Sequence, residues 1–143
     1  AIRENLKDVS LEPELFHQIM HMRLLGIDYG RKKMGLAISE GKLAEPWKVI
    51  KVNNFEEAVI KVLQVLQVLG VDKVIVGVSE NKMAEESKEF AKRIGAETFD
   101  ETLSTHEAQI LSVQAGMKKK KRKNMEDAFA AAIILQNYLD SVV

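Results

Sequence analysis

The segment that most constrains the fold is Lys73–Val78, which contains the uninterrupted run Val-Ile-Val-Gly-Val. A run of β-branched residues without polar alternation is typical of a central strand buried on both faces of a sheet. The flanking sequence predicts helices that can cover such a strand. Residues 55–69 place apolar side chains at one-faced helical spacing before Gly70, and residues 84–94 predict a second helix that ends at Gly95.

Four further segments predict the other strands of the sheet. Leu24–Ile27 and Met34–Ile38 flank a polar turn at Arg31–Lys33 and predict a hairpin, and Trp47–Val52 follows Pro46 as a third strand. A short strand is expected at Glu97–Phe99. Two more helices are expected, over about residues 104–115 and over residues 124–139. The predicted fold class is therefore α/β, with a mixed five-stranded sheet flanked by helices.

Length and composition limit the domain organisation and the chemistry. A chain of 143 residues is expected to form one domain, and we assign it to residues 22–143, with residues 1–21 as a helical or disordered N-terminal extension. The absence of cysteine excludes disulfides, thiolate zinc sites and a cysteine nucleophile. Neither a signal peptide nor a membrane-spanning apolar run is apparent, so we expect a cytoplasmic protein.

The charge distribution says more than the net charge, which is zero. Six consecutive cations lie between two predicted helices: Lys118, Lys119, Lys120, Lys121, Arg122 and Lys123. A concentrated basic segment on a neutral protein can bind a polyanion such as nucleic acid. A solvated loop explains the same residues equally well on charge alone.

Carboxylates occupy three positions at which chemistry is expected. Asp28 ends an apolar strand and precedes Tyr29-Gly30, whereas Asp100 and Glu101 follow the last strand, where at most one of them can face Asp28. Asp127 comes three residues after Asn124, so capping of the last helix is the structural alternative for it. Carboxylates that converge repel one another unless cations neutralise them, and Mg²⁺ or Mn²⁺ with oxygen ligands is suited to that role.

Several motifs together resemble the YqgF family. Leu25-Gly-Ile-Asp-Tyr-Gly-Arg-Lys-Lys-Met-Gly-Leu-Ala-Ile-Ser39 is similar to the opening of that family, and residues 100–108 are similar to its segment Asp-Glu-Arg-Leu-Thr-Thr-x-Glu-Ala. Residues 121–127 and 130–139 resemble its C-terminal signature, so the resemblance extends from Met22 to Val143. Thr102 departs from the family's usual arginine, and residues 79–83 depart from its usual loop.

The resemblance implies a ribonuclease-H-like fold, with Asp28, Glu101 and Asp127 as catalytic residues and ligands of Mg²⁺ or Mn²⁺. It also implies a metal-dependent nuclease that hydrolyses phosphodiester bonds in structured nucleic acid, with the basic segment at residues 118–123 binding substrate. Family members are named as pre-16S rRNA nucleases or as Holliday junction resolvases. We therefore expect 5′-end processing of precursor 16S rRNA, with resolution of branched DNA as the alternative.

Two other classes of protein remain as alternatives. One is a nucleic-acid-binding module that keeps the acidic positions but cleaves poorly. The other is an actin-like or sugar-kinase-like ATPase, which also begins with Asp-x-Gly on a hairpin but needs paired domains for which this chain is too short. The oligomeric state is not predicted by the sequence.

Overall fold

A computed structural model describes residues 21–78, 83–100 and 119–142, together with residues 14, 17 and 18. Of residues 119–122 it describes the main chain alone. The predicted helix at 104–115 lies outside these ranges. Among the helices within them, none combines the length and apolarity that a bilayer-spanning segment requires.

Five strands form one mixed sheet, as predicted. They are β1 (Arg23–Asp28), β2 (Lys33–Glu40), β3 (Ala44–Lys51), β4 (Lys73–Val78) and β5 (Glu97–Asp100), and their spatial order is β3-β2-β1-β4-β5. The hairpin pairs β1 and β2 antiparallel, β3 continues it antiparallel, and β4 and β5 join in parallel on the other side of β1. The carboxyl ends of β1 and β4 therefore meet at one edge of the sheet.

Helices α1 (Phe55–Leu69) and α2 (Ala84–Ile94) have the bounds that the sequence predicts. The side chain of Asn54 accepts a hydrogen bond from the main-chain N–H of Glu57 at 2.8 Å, which caps the start of α1. Gly70 and Gly95 end the two helices in the left-handed conformation, which glycine adopts without steric cost. Both helices cover the sheet face that carries Leu25, and they enclose its larger apolar core.

Helix α3 (Lys119–Ser141) covers the opposite face of the sheet. It packs on Leu24 of β1, Ala37 of β2 and Ile75 of β4 through small and branched side chains. The amide of Gln136 fastens the β2–β3 turn to the helix, accepting from the N–H of Ala44 and donating to the carbonyl of Lys42, both at 2.9 Å. The sheet is thus enclosed between α1 and α2 on one side and α3 on the other.

Three glycines in adjacent strands allow α3 to approach the sheet closely. A methyl group at Gly35 would overlap the main chain of Asp127, one at Gly26 would lie 2.8 Å from Cβ of Leu135, and one at Gly77 would meet the Ile134 side chain. Such close approach requires glycine on the sheet. The depth of α3 is therefore fixed by β2, β1 and β4 together.

Candidate active site

Asp28 is the last residue of β1 and lies on the sheet face that α3 covers. Side chains alternate along a strand, so Asp28 shares its face with Leu24, which packs in the α3 core. Its register partner across the antiparallel pair is Gly35 of β2. Because Gly35 has no side chain, the space above this end of the hairpin is open to the helix.

Asp127 enters that space from α3. The main chain of Asp127 lies against Gly35, so the strand residue opposite Asp28 is also the residue that seats the helix. The helix begins by Lys119, eight residues before Asp127, and not at Asn124 as the sequence suggested. Asn124 is thus no N-cap, and Asp127 is an interior helical residue, because the preceding lysines and arginine are themselves good helix formers.

The two carboxylates interact electrostatically. Burial of Asp28 and, secondly, the negative charge of Asp127 raise the pKa of Asp28 from 3.8 to about 7. No cation in the described ranges forms an ion pair with Asp28. A partly buried carboxylate with a like charge beside it and no counterion favours either a proton or a bound cation.

One oxygen of Asp127 is already close to a cation. The Nζ of Lys33 lies 3.1 Å from Oδ2 of Asp127, although the Asp127 side chain is only 27% exposed. Oδ2 is excluded from solvent and accepts no hydrogen bond among the described residues. The distance is that of an ion pair, whereas the angles are not those of a hydrogen bond, so the contact is best described as electrostatic attraction.

Asp100 does not belong to this carboxylate pair. Phe99 packs on Tyr138 of α3, with ring centroids 5.8 Å apart, so the α3 face of β5 is occupied by Phe99. Asp100 therefore projects to the other face, and its side chain is exposed. Glu101 lies outside the described residues, and within the described ranges no three acidic or histidine side chains form a group that could hold a metal ion.

The basic segment is positioned differently from the sequence prediction. Residues 119–123 belong to α3 and are not a loop between helices, whereas Lys118 lies outside the described residues. Lys123 is exposed and precedes Asp127 by one helical turn. Residues 119–123 are thus part of the helix that carries the candidate carboxylate.

Two groups near the candidate carboxylates are not predicted by the sequence. Lys33 falls in a predicted polar turn, although it begins β2 and shares the strand parity of Gly35, the signal that could have placed it on the α3 face. Tyr29 donates a hydrogen bond of 2.8 Å to Glu86, and the Glu86 carboxylate also pairs with Arg31 at 3.2 Å. This second group anchors the loop that follows Asp28 to α2.

Comparison with known proteins identifies relatives over nearly the whole described region. The family model described as RuvX, Holliday junction resolvase, matches residues 22–141. A Bacillus cytotoxicus protein is 36% identical over 137 residues, and a Desulforamulus reducens protein is 33% identical over 134 residues. Each match covers 84% of this chain and 98% or more of the relative, and both relatives are named "Putative pre-16S rRNA nuclease".

Solved structures share the fold at much lower sequence identity. The RuvC of Thermus thermophilus in complex with a Holliday junction aligns with a TM-score of 0.54 at 20% identity, covering 85% of this chain and 95% of RuvC. The fowlpox virus resolvase bound to Holliday junction DNA aligns with a TM-score of 0.52 at 15% identity, covering 85% and 99%. These likenesses establish the ribonuclease-H-like fold that the sequence motifs implied.

Proposed function

Because the chain belongs to the RuvX family of Holliday junction resolvases, we propose that it is a metal-dependent endonuclease whose catalytic carboxylates are Asp28, Glu101 and Asp127. The observation that carries the proposal is the convergence of Asp28 and Asp127 on the α3 face, at the edge where β1 ends. Their elements come from opposite ends of the domain, so this meeting is a property of the fold and not of local sequence.

The residues fit a hard divalent cation. Asp28 is partly buried, has no counterion among the described residues and lies beside the like charge of Asp127; Oδ2 of Asp127 is excluded from solvent without a hydrogen bond among the described residues. Oxygen ligands of this kind suit Mg²⁺ or Mn²⁺. A metal held by Asp28 and Asp127 would supply activation of water and stabilisation of the leaving oxygen of the phosphodiester. The protein contributes the two fixed anions, a mostly buried site and the packing that holds the carboxylates together.

Glu101 is proposed as the third carboxylate. Phe99 and Asp100 occupy opposite faces of β5, and the face of Phe99 is that of Asp28. Asp100 therefore faces away from Asp28, and strand alternation supports the residue after it as the third carboxylate. The resemblance to the YqgF family also implies Glu101 as the acidic site residue.

The proposed substrate is structured nucleic acid, with precursor 16S rRNA favoured over branched DNA. The names of the relatives favour RNA. The DNA-bound structures are less than 25% identical to this chain, so they support the fold and not the choice of substrate. We propose that the basic segment at residues 118–123 contacts the phosphate backbone beside the carboxylates, because Lys123 lies one helical turn from Asp127. Processing of precursor rRNA also fits the cytoplasmic location expected from the sequence.

Cleavage assays test the proposal directly. The protein is incubated with precursor 16S rRNA and with a synthetic four-way DNA junction, each with Mg²⁺, Mn²⁺ or chelator, and Asp28→Asn serves as the matched inactive control. We expect metal-dependent cleavage at the 5′ end of the rRNA and little on the junction. If the protein cleaves the junction in preference to the rRNA, branched DNA and not RNA is its substrate. Binding without cleavage of either substrate in any metal would favour the non-catalytic binding module.

A further inference from the structure

Lys33 is directed at the carboxylates by the register of β2. Gly35 and Ala37 lie on the face that packs against α3, and Lys33 has the same strand parity. Its side chain therefore leaves the strand on the side of Asp28 and Asp127, and its Nζ lies 3.1 Å from Oδ2 of Asp127. A lysine at this position cannot turn to the other face without a shift in register.

The contact leaves the two carboxylates unequally neutralised. Among the described residues, Lys33 forms an ion pair with Asp127. Asp28 has no such partner there, and the negative charge of Asp127 still raises its pKa. The Lys33 side chain is 54% exposed, although the oxygen that it approaches is excluded from solvent. One end of the interaction is thus fixed in the protein, and the other is a flexible arm that can withdraw into water.

We infer that Lys33 holds the place of the metal in the metal-free protein and competes with it for Asp127. This inference rests on the proposed metal site. A divalent cation held by Asp127 would lie beside the Lys33 ammonium, and like charges at such separations repel. Metal binding therefore requires the ammonium to leave Asp127, and the affinity of the site for metal is lower than the carboxylates alone would give. In the metal-free protein, the Lys33 ammonium screens the negative charge of Asp127, so the two carboxylates are not both left without a nearby cation.

Magnesium binding to Lys33→Met measures this competition. Calorimetric titration of the whole protein at pH 8 compares wild type, Lys33→Met, Lys32→Met and Asp28→Asn. Lys32→Met removes an identical charge from the exposed neighbouring residue and controls for the general field of the protein. We expect Lys33→Met to bind Mg²⁺ about fivefold more tightly than Lys32→Met, the fold-change that corresponds to a partly exposed ion pair. Equal or weaker binding by Lys33→Met would overturn the inference.

A double-mutant cycle in chelator tests the ion pair without metal. Urea unfolding is measured for wild type, Lys33→Met, Asp127→Asn and the double variant. We expect Lys33→Met to lower the unfolding midpoint in the wild-type background and to have little effect once Asp127 is Asn. Additive effects of the two substitutions would show that Lys33 and Asp127 do not interact energetically. That result would overturn the inference and leave the proposed metal site unaffected. If wild type binds no more Mg²⁺ than Asp28→Asn does, the proposed metal site fails and this inference fails with it.

Discussion

Gly35 lies against the main chain of Asp127 so closely that a methyl group on Gly35 would overlap the Asp127 carbonyl. Gly35 is also the cross-strand partner of Asp28. The absence of a side chain at Gly35 therefore allows the helical carboxylate to come near the strand carboxylate. The acidic pair depends on this packing contact as much as on the two aspartates.

Replacing the sheet glycines by alanine should destabilise the protein in a graded way. At Gly35 the new methyl meets main chain, which cannot move without displacing α3, and we expect a loss above ~3 kcal/mol. At Gly26 it meets Cβ of Leu135 at 2.8 Å, and at Gly77 the flexible Ile134 side chain, so the losses should decrease in that order. Urea unfolding in chelator measures the series. Equal losses of stability at all three positions would argue against a uniquely close contact between Gly35 and the main chain of α3.

Neutralising Asp28 should nearly abolish cleavage. Asn preserves the shape of the side chain but removes an anionic metal ligand, and a loss of a few kcal/mol in transition-state stabilisation corresponds to roughly 10²–10⁴-fold in rate. Single-turnover cleavage of precursor rRNA with Mg²⁺ measures the change, and circular dichroism checks the fold. A folded Asp28→Asn variant that cleaves at the wild-type rate would remove Asp28 from the mechanism.

Replacements of Asp100 and of Glu101 should differ in their effect on cleavage. Glu101→Gln should reduce cleavage as Asp28→Asn does, whereas Asp100→Asn should leave it nearly unchanged, because Asp100 is exposed on the face opposite Asp28. The two variants make the same isosteric change at neighbouring positions and control for each other. The opposite ranking would mean that Asp100 and not Glu101 serves the site.

The contribution of Asp28 to the stability of the metal-free protein should fall as the pH rises from 3.8 to about 7. The pKa of Asp28 is raised from 3.8 to about 7, so between these values the folded state retains a proton that the unfolded state has released. This contribution to stability is complete below the ordinary pKa and is lost as the pH passes about 7. Asn at this position does not titrate, so Asp28→Asn has no such pH-dependent loss. The free energy of unfolding of the variant should therefore increase by up to a few kcal/mol relative to that of wild type between pH 5 and pH 8.

Urea unfolding of both proteins in chelator at these two pH values tests this expectation. Addition of Mg²⁺ at pH 8 should then stabilise wild type and leave Asp28→Asn nearly unchanged, since the metal replaces the proton as the neutralising group. A difference between the two proteins that does not vary with pH would show that Asp28 titrates in the ordinary range for aspartate.

Local patterns predict much of this fold, and long-range packing explains what they miss. The bounds of α1 and α2 are predicted to the residue because a glycine ends each helix after a clear apolar period. The start of α3 is missed because a run of lysines looks like a loop by charge but has good helix propensity. Asp28 is marked by its position at a strand end, whereas the Lys33–Asp127 contact depends on strand register and helix depth together, which no local window contains.

The cations at 119–123 lie in α3, so their positions are divided between two faces of the helix. At 100° per residue, positions 120 and 123 lie within about 40° of Asp127 around α3, whereas positions 121 and 122 lie more than about 100° away. If the segment guides a phosphate backbone towards the carboxylates, the first pair should make most of the contacts with it. Gln is the suitable replacement, because it removes the charge while keeping helix propensity.

We therefore expect Lys120→Gln/Lys123→Gln to weaken binding of both rRNA and junction DNA. The salt dependence of affinity should flatten by about 0.7–0.9 for each phosphate that the variant no longer neutralises. Lys121→Gln/Arg122→Gln removes an equal charge from the other face and should change the slope less. Cleavage at saturating substrate should be similar in both, since uniform binding affects KM and not kcat. Fluorescence anisotropy over several salt concentrations measures affinity and slope together. If the salt slopes of the two double variants are equal and lower than that of wild type, the cations attract nucleic acid without preference for one face of the helix. If both variants keep the wild-type slope, the basic segment does not contact the substrate.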